Sequence, residues 1–210
     1  RYPGQHKVDN IQQVYCDWYL TSPASVHDRF VDVPDGAWYI SAVDYVLIHN
    51  IMSGNTNGTF APEKALTRAE LVTLLWSKEG KPEAASDVSF NDVADSDWFA
   101  AKVKWAAAAG IVSGYTDGSF KPNKQVSRQE LAQMIFAYAK YKNVDVSASG
   151  SLAGFSDSNA AGGWARPALQ WAVGAGILSG SNGRLMPANS AKRCEVASMF
   201  MRFVENFKLN

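Results

Sequence analysis

The sequence predicts an all-α fold, in which three helix–loop–helix repeats form one domain and an N-terminal helix precedes them. Residues 30–71 align without a gap on residues 90–131, and 17 of these 42 positions are identical, which indicates duplication. A third, more diverged copy starts at Phe155. In each copy, two segments with apolar residues at helical spacing flank a glycine-rich loop. One such unit has too little apolar surface to enclose a core, so we expect the three units to pack on one another.

The composition is that of a packed globular protein without net charge. Hydrophobic residues make up 47% of the 210-residue chain and charged residues 19%, with 20 basic and 20 acidic side chains. This balance argues against a nucleic-acid partner, which usually requires a basic excess. No apolar run is long enough to span a bilayer, and no signal-peptide core follows Arg1. The chain is therefore expected to be cytosolic, or to be a mature or excised piece of a larger protein.

The chain divides into an N-terminal segment, three repeats and two linkers. Within residues 1–29, a short amphipathic helix is predicted over residues 8–20 from the helical spacing of Val8, Ile11, Val14, Tyr15 and Trp18. The repeats span residues 30–80, 90–142 and 155–207. The linkers, residues 80–89 and 143–154, are small and polar and need not be rigid.

The first half of each repeat has the same order of features. A Phe-x-Asp sequence comes first, and a tryptophan then opens the first predicted helix: Phe30, Asp32 and Trp38; Phe90, Asp92 and Trp98; Phe155, Asp157 and Trp164. A second aromatic follows seven residues later, which places both rings on one helical face: Tyr45, Trp105 and Trp171. We therefore expect both rings in the core, rather than stacked on a sugar or a base. The helix should end at a residue that tolerates a left-handed backbone: Asn50, Gly110 and Gly176.

The second half of each repeat contains a tight turn and a second helix. The turn dipeptides are Asn57-Gly58, Asp117-Gly118 and Asn182-Gly183. A motif, Thr67-Arg68-Ala69-Glu70 in the first repeat, follows the turn and fits a capping box, so Arg68 should be the first helical residue. In the third copy Lys192 replaces the capping hydroxyl, which should weaken that helix start by roughly 1 kcal/mol. The stripes expected to face the core are Leu71, Leu74 and Leu75; Leu131, Met134, Ile135 and Tyr138; Val196, Met199, Phe200 and Phe203.

The arginine of this motif is in an unfavourable place for a cation. A helix N-terminus carries a partial positive charge, yet all three repeats keep the residue there: Arg68, Arg128 and Arg193. We interpret this repetition as a sign of anion binding by the guanidinium together with free backbone N–H groups. The alternative is structural pairing with carboxylates of the preceding unit. Because Lys192 replaces its cap, the third site should be altered in affinity or idle.

No arrangement of residues indicates catalysis. The three histidines lie in unrelated contexts, without Cys, Asp or Glu at ligand or triad spacing: His6, His27 and His49. The glycine loops match neither a P-loop nor a dinucleotide fingerprint. The repeated carboxylates are better explained as turn or cap residues before the first helix (Asp32, Asp92 and Asp157) and as capping-box residues (Glu70, Glu130 and Glu195). We therefore predict no catalytic residue, no metal site and no cofactor.

Two further predictions concern Tyr115 and the cysteines. Tyr115 lies early in the second loop, outside any core periodicity, so we expect its ring to face a ligand. Cys16 and Cys194 are either two free thiols or one long-range disulfide between the N-terminal segment and the third repeat. If it is exposed, Cys194 should have a lowered thiol pKa because Arg193 is its neighbour.

The ordered set of motifs resembles the S-layer homology (SLH) module. Phe-x-Asp-Val, Trp-Tyr, Ser-Gly-x-x-x-Gly-Thr-Phe-x-Pro and Leu-Thr-Arg-Ala-Glu-Leu carry the resemblance, which covers residues 30 to about 207. It implies three modules folded as one pseudo-threefold unit, with the motif helices at the centre and grooves between neighbouring modules. The N-terminal helix lies outside the motifs, and we expect it to pack against the third repeat and complete the ring.

The resemblance also implies a function. Members of this family are exported by bacteria and hold surface proteins or enzymes to the wall, by binding a secondary cell-wall polysaccharide that typically carries a pyruvate ketal on a terminal amino sugar. By motif position, the ketal contact falls to Arg68, Arg128 and Arg193. The glycine whose backbone approaches the sugar corresponds to Gly54, Gly114 and Gly180. The implied location is extracellular, at the cell wall or S-layer.

Together these features predict a non-covalent anchor, not an enzyme, that binds an anionic cell-wall polysaccharide as part of a larger surface protein. The arginines and helix N–H groups would hold a carboxylate, and the loop backbone and Tyr115 would hold the sugar. The alternatives are a protein-interaction module and direct peptidoglycan binding. On this interpretation, Arg68→Ala or Arg128→Ala should weaken wall binding without lowering the melting temperature.

Overall fold

The computed structural model describes residues 26–83 and 88–209, and it is helical there, as predicted. The helix predicted over residues 8–20 lies outside the described residues. After a 3₁₀ turn at Val26–Arg29, the six helices are α1 (Ile40–Ile48), α2 (Arg68–Lys78), α3 (Ala100–Ala108), α4 (Arg128–Tyr141), α5 (Arg166–Gly174) and α6 (Arg193–Phe207). Two shorter 3₁₀ turns, Ser158–Ala160 and Gly163–Ala165, precede α5. Each repeat therefore contributes one shorter and one longer helix.

The second helix of each repeat begins at the motif arginine, as the capping box predicts. In α2, Thr67 accepts a hydrogen bond from the Glu70 amide, and Glu70 accepts one from the Thr67 amide. Ser127 and Glu130 repeat this arrangement in α4. All predicted stripe residues of α2, α4 and α6 are buried, which confirms that these helices face the core.

The first helix of each repeat begins two residues after its tryptophan, not at it. Its end is as predicted: the residue after the C-cap has a positive φ, at Asn50 (52°), Gly110 (68°) and Gly176 (71°). The amide of the following residue then bonds back into the last turn, as Ile51 N does to Val46 O at 2.8 Å. This reversal directs the chain out of the helix and into the glycine-rich loop.

The helices pair between repeats rather than within them. Helix α2 packs against α3, α4 against α5, and α6 against α1, so the second helix of each repeat lies on the first helix of the next. The last pair joins repeat three to repeat one. The three repeats therefore form a closed ring by their own contacts. The predicted packing of the N-terminal helix against the third repeat concerns residues outside those that the structure describes.

Three backbone hydrogen bonds form a closed triangle at the centre of the ring. Leu66 N donates to Ala191 O (3.1 Å), Ala191 N to Val126 O (2.8 Å), and Val126 N to Leu66 O (2.9 Å). These three residues occupy the same position in the three repeats and are buried. The triangle therefore marks the pseudo-threefold axis, and each motif helix starts two residues away from it.

One cluster of buried side chains runs through all three repeats. The linker before repeat three belongs to it, since Leu152 is buried and Gly150 N donates to Gln170 O at 2.7 Å. A Cβ on Gly174 would lie 2.6 Å from Gly150 N, so the linker backbone packs directly against α5. This linker is thus fixed more firmly than its composition suggested. None of the helices in the described part of the chain is long and apolar enough to cross a membrane.

Candidate functional site: three grooves between repeats

Each motif arginine reaches into the loop of the next repeat around the ring. Arg68 Nε donates to Phe120 O (2.8 Å) and its Nη2 to Ser113 O (3.0 Å). Arg193 makes the same pair of bonds to the first repeat: Nε to Phe60 O (2.8 Å) and Nη2 to Ser53 O (2.7 Å). The partners are therefore loop carbonyls of the following repeat, and not carboxylates of the preceding one.

Within the described residues, the first two backbone amides of each motif helix are not free to bind an anion, contrary to the sequence-based expectation. Arg68 N donates to Lys124 O (2.9 Å) and Ala69 N to Pro122 O (3.0 Å). The equivalent amides of the other two motif helices make the same contacts: Arg128 N to Asn189 O, Gln129 N to Pro187 O, Arg193 N to Lys64 O and Cys194 N to Pro62 O. These bonds join neighbouring repeats, so any ligand contact falls to the side chains and to the loops.

The aspartates of Phe-x-Asp hold the same loops from the other side. Asp32 accepts hydrogen bonds from the amides of Phe60 and Ala61, both at 2.7 Å. Asp92 and Asp157 do the same for the second and third loops. The second amide in each pair belongs to a non-glycine residue with positive φ: Ala61 (56°), Lys121 (58°) and Met186 (51°). These carboxylates therefore act as loop clamps, and not as caps of the first helix.

The loop glycines have a packing reason for lacking a side chain. A Cβ on Gly54 would lie 1.9 Å from the Phe30 ring, and one on Gly114 would lie 2.5 Å from Phe90. At Gly180 the nearest neighbour is backbone, since a Cβ there would lie 2.5 Å from Arg184 O, and its φ of +69° also favours glycine. Gly114 and Gly180 also line a groove beside the loop. The phenylalanine of Phe-x-Asp thus fixes the loop backbone at the groove edge.

The first tryptophan of each repeat is exposed, so the prediction that it lies in the core was wrong. Trp38, Trp98 and Trp164 are 65%, 60% and 57% exposed, whereas Trp105 and Trp171 are 5% and 1% exposed. The heptad argument fails because the first ring precedes the helix and does not share its face. Each exposed indole lines a groove that also holds a motif arginine.

The three grooves have equivalent walls drawn from all three repeats. Groove A contains Arg68, the second loop at Ser113–Tyr115, Glu130 and Trp164. The corresponding set in groove B is Arg128, the third loop at Ser179–Ser181, Glu195 and Trp38. In groove C it is Arg193, Ser53 of the first loop, Glu70 and Trp98. Their volumes are about 480, 440 and 360 Å³, within the range of small-ligand sites.

Groove A contains an aromatic and cationic cluster around Tyr115. The guanidinium carbon of Arg68 lies 5.0 Å from the Tyr115 ring centre, and Lys121 Nζ lies 4.1 Å from it. Lys124 Nζ donates to Tyr115 Oη (2.9 Å) and to Glu130 Oε1 (2.6 Å). Burial raises the Glu130 pKa, but the hydrogen bonds from Lys124 and Ser127 outweigh burial and hold this pKa at about 2. Tyr115 therefore lies in the groove, and Glu130 is kept ionised beside it.

Groove B differs because its arginine is ion-paired. Arg128 Nε donates to Leu185 O at 2.8 Å, and its Nη1 is hydrogen-bonded to Glu195. Lys192 is turned towards Glu63 of the first repeat. Cys194 is a buried free thiol, so the exposure on which a lowered pKa depended is absent, and burial together with nearby Glu63 raises its pKa to about 11. Cys16 lies outside the described residues.

Groove C keeps the arginine geometry of groove A but has a simpler loop. Arg193 stacks on Phe60, with 4.6 Å between the guanidinium carbon and the ring centre, as Arg68 does on Phe120 at the same distance. Glu70 accepts a hydrogen bond from Lys64 Nζ at 2.8 Å. Asn55 stands where groove A has Tyr115. The unusual residues Lys192 and Cys194 line groove B, and not the groove of their neighbour Arg193.

The comparison with known families agrees with the three-fold repeat. The S-layer homology domain profile matches residues 29–72, 89–132 and 154–197, which is more than half of the chain. The chain belongs to the S-layer homology family. The matched segments each end within the first turns of a motif helix, so the profile covers the loops, tryptophans and arginines that line the grooves of this SLH chain, and the aspartates that hold the loops.

Several curated proteins share this SLH region. The surface-layer 125 kDa protein of Lysinibacillus sphaericus is 31% identical over 169 residues, which cover 79% of this chain and 14% of that protein. The exoglucanase XynX of Acetivibrio thermocellus is 28% identical over 182 residues, 84% of this chain and 16% of the enzyme. The cellulosome-anchoring protein of A. thermocellus is 33% identical over 111 residues, 50% of this chain and 25% of that protein. The chain thus spans a quarter or less of each of these relatives.

The family assignment and these relatives indicate that the chain is a cell-surface anchoring module. The three relatives are named for a surface layer, an enzyme and an anchor, and the SLH region is what they have in common with this chain. The family profile matches the repeats, and residues of those repeats line the grooves.

Proposed function

We propose that the grooves bind acidic terminal sugars of a secondary cell-wall polysaccharide, and that the chain thereby anchors a larger surface protein at the cell wall or S-layer without a covalent bond. The observation that carries this proposal is the pairing, in each groove, of an arginine with an exposed tryptophan from another repeat; the arginine is buried in grooves A and B and partly buried in groove C. The preferred acidic group is a pyruvate ketal on an amino sugar.

The arginine supplies the contact with the acid. Arg68 is only 6% exposed, and two loop carbonyls fix its guanidinium in place. Among the described residues its Nη1 has no hydrogen-bond partner, so this group remains available at the groove. A fixed guanidinium in a partly desolvated site forms strong charge-assisted hydrogen bonds and loses little entropy on binding. A carboxylate is therefore the best ligand for this position.

The aromatic side chains supply the contact with the sugar. An indole is exposed at the equivalent position of all three repeats, and each one lines a groove. An indole offers a flat apolar face and one polar N–H, which suits the mixed surface of a sugar ring. In groove A, Tyr115 adds a second ring beside Gly114. We assign sugar binding to Trp38, Trp98, Trp164 and Tyr115, and to the loop backbone at Gly54, Gly114 and Gly180.

Repetition of the site explains how weak binding could anchor a protein. If the polymer presents several acidic ends, two grooves on one rigid ring bind it with a higher effective concentration than either groove alone. We propose that this chain is a binding module and not an enzyme. In keeping with this, the relative named as an exoglucanase shares only 16% of its length with the chain.

The test is a pull-down on purified cell walls with Trp38→Ala/Trp98→Ala/Trp164→Ala in one chain. Exposed rings contribute little to stability, so we expect lost wall binding with an unchanged melting temperature. Val31→Ala, a change of a 90% exposed residue that lines none of the three grooves, is the matched control.

The same assay separates the alternatives. Wild-type binding should disappear when the secondary polysaccharide is removed chemically from the walls. Retention on such walls would instead favour peptidoglycan or a wall protein as the partner, and unchanged binding of the triple variant would rule out the grooves.

A further inference from the structure

We infer that Glu195 pairs with Arg128 in groove B and thereby keeps acidic ligands out of this groove. We also infer that this pairing depends on the residue at position 189. The inference deepens the proposed function, on which it rests, because it assigns acid binding to grooves A and C. Position 189 acts through Glu195, so Asn189 and its counterparts Lys64 and Lys124 are positioning residues.

In grooves A and C a lysine holds the helix glutamate away from the arginine. Lys124 Nζ lies 2.6 Å from Glu130 Oε1, and Lys64 Nζ lies 2.8 Å from Glu70 Oε1. In both cases the lysine is six residues before the glutamate. The second carboxylate oxygen of each glutamate accepts the N-cap amide, so both oxygens are engaged. The arginines Arg68 and Arg193 consequently bond only to loop carbonyls within the described part of the chain.

Groove B lacks this lysine. Asn189 stands six residues before Glu195, and its short neutral side chain has no ammonium group to offer. The neighbouring Lys192 is paired with Glu63 across the repeat boundary. Glu195 still accepts the Lys192 amide with Oε2 (2.9 Å), but its Oε1 is bound by Arg128 Nη1. The loss of one lysine thus redirects the carboxylate to the arginine.

The resulting ion pair is shielded from solvent. The side chains of Arg128 and Glu195 are 7% and 17% exposed, whereas the lysines that hold Glu130 and Glu70 are 45% and 56% exposed. A ligand carboxylate in groove B must displace Glu195 before it can reach Arg128 Nη1, and it would then lie beside a displaced negative charge. Separating a shielded pair is costly, so groove B should bind a monoacidic sugar more weakly than groove A.

The backbone around position 189 has the geometry of the lysine-bearing repeats. Asn189 N donates to Met186 O at 3.1 Å, as Lys64 N does to Ala61 O and Lys124 N to Lys121 O at the same distance. Asn189 O accepts from Arg128 N at 2.9 Å, which equals the bond from Arg68 N to Lys124 O. Asn189 is also exposed, so a lysine there has room and should reach Glu195.

The experiment reads each groove separately through its own tryptophan. ¹⁵N-labelled protein is titrated with a synthetic methyl glycoside of an N-acetylhexosamine carrying a pyruvate ketal, and the indole N–H signals are followed by NMR. Trp164 reports on groove A, Trp38 on groove B and Trp98 on groove C. Single Trp→Phe variants assign the three signals.

In the wild-type protein we expect Trp164 and Trp98 to respond first, and Trp38 to respond at about tenfold higher ligand concentration, equivalent to about 1.4 kcal/mol. Asn189→Lys should bring the response of Trp38 close to that of Trp164. Glu195→Gln should do the same, because the amide keeps an acceptor for the Lys192 amide but loses its charge. The matched control Asn189→Met has about the length of lysine without its charge and should leave Trp38 as in wild type.

Removing the corresponding lysine from another groove tests whether that lysine keeps the glutamate away from the arginine. Lys64→Asn should free Glu70 to pair with Arg193 and weaken the Trp98 response about tenfold, while Trp164 is unaffected. Groove C is chosen because groove A has Tyr115 as a second donor to Glu130 at 3.1 Å.

Two results would overturn the inference while leaving the proposed function intact: equal responses of Trp38 and Trp164 in wild type, or an Asn189→Lys variant in which Trp38 stays weak. If none of the three indoles responds, the proposed function itself fails. Ligand-free crystal structures of wild type and Asn189→Lys separate these cases, because Glu195 must move from Arg128 to the introduced lysine whether or not the ligand is correct.

Discussion

At the scale of single residues, the motif arginine has a structural role that the sequence concealed. Arg68 and Arg128 are 6% exposed, and each donates from Nε to a loop carbonyl of the next repeat. The helix dipole disfavours a cation at this position, but the negative ends of the loop carbonyl dipoles offset that effect. The same side chain thus joins two repeats and lines a groove.

This double role changes the expected outcome of Arg68→Ala. The substitution leaves Phe120 O and Ser113 O without a donor and removes the packing against the Phe120 ring. We now expect a loss of about 2–4 kcal/mol in the free energy of unfolding in addition to weaker wall binding. Chemical denaturation measures the first effect, with Trp164→Ala as the comparison that should lose binding only. An Arg68→Ala protein as stable as wild type would contradict this assignment.

Ionised Glu130 makes the stability of the protein depend on pH. Its folded pKa of about 2 lies below the usual 4.5, so the folded state binds its proton less tightly than the unfolded state does. The stabilisation of the folded state by ionised Glu130 is therefore complete above the usual pKa of 4.5 and disappears as the pH falls towards 2. Melting temperatures measured from neutral to acidic pH should show wild type above Glu130→Gln at neutral pH, with the difference shrinking on acidification. A difference that stays constant with pH would argue against this role.

At the scale of elements, the three motif helices differ in how well they are capped. Thr67 and Ser127 accept from the N3 amide, but lysine has no acceptor, so α6 keeps only the bond from the Lys192 amide to Glu195. The backbone at position 192 (φ −82°, ψ 155°) nevertheless matches that of Thr67 (φ −84°, ψ 164°). A hydroxyl side chain would therefore cap α6 without any backbone change.

Lys192→Thr should accordingly stabilise the protein. The gain from one N-cap bond is about 1 kcal/mol, and it is best measured in a Glu63→Gln background, which removes the exposed Lys192–Glu63 pair from the comparison. Denaturant unfolding of Glu63→Gln with and without Lys192→Thr gives the change in the free energy of unfolding. Thr67→Ala should change this free energy by a similar amount in the opposite direction. No gain at position 192 would mean that α6 is capped in another way.

At the scale of the whole molecule, the fold depends on closing the ring. Helix α1 of the first repeat packs on α6 of the third repeat, and the central triangle needs one residue from each repeat. Any two repeats alone contain only one of the three helix pairs that join the described repeats. The grooves depend on closure as well, since each takes its arginine, its loop and its tryptophan from three different repeats.

A chain ending at residue 142 should therefore fail to fold. It lacks α5 and α6, so α1 and α4 each lose their partner and their buried faces are exposed. Circular dichroism with thermal unfolding should show one cooperative transition for the full chain and none for the shortened one. Cooperative melting of the two-repeat chain at the full-length temperature would refute the closed-ring account.

The features that sequence analysis predicted well are local ones. The starts of α2, α4 and α6, their buried stripes and the left-handed helix ends follow from spacing within a few residues. The exposure of Trp38, Trp98 and Trp164 was missed because the first helix begins two residues later than assumed. The partners of Arg68, Arg128 and Arg193 were missed because they lie in the next repeat, and no spacing within one repeat reveals which repeat that is.

The most direct test of the proposed function is calorimetry with matched saccharides that differ only in the pyruvate ketal. We expect the pyruvylated sugar to bind and its unpyruvylated counterpart to bind at least about tenfold more weakly, because the arginine contact requires the carboxylate. Binding of the pyruvylated sugar should also be lost in the variant that lacks Trp38, Trp98 and Trp164. Equal affinity for the two sugars, or no binding of either, would contradict the proposal that the grooves recognise an acidic sugar.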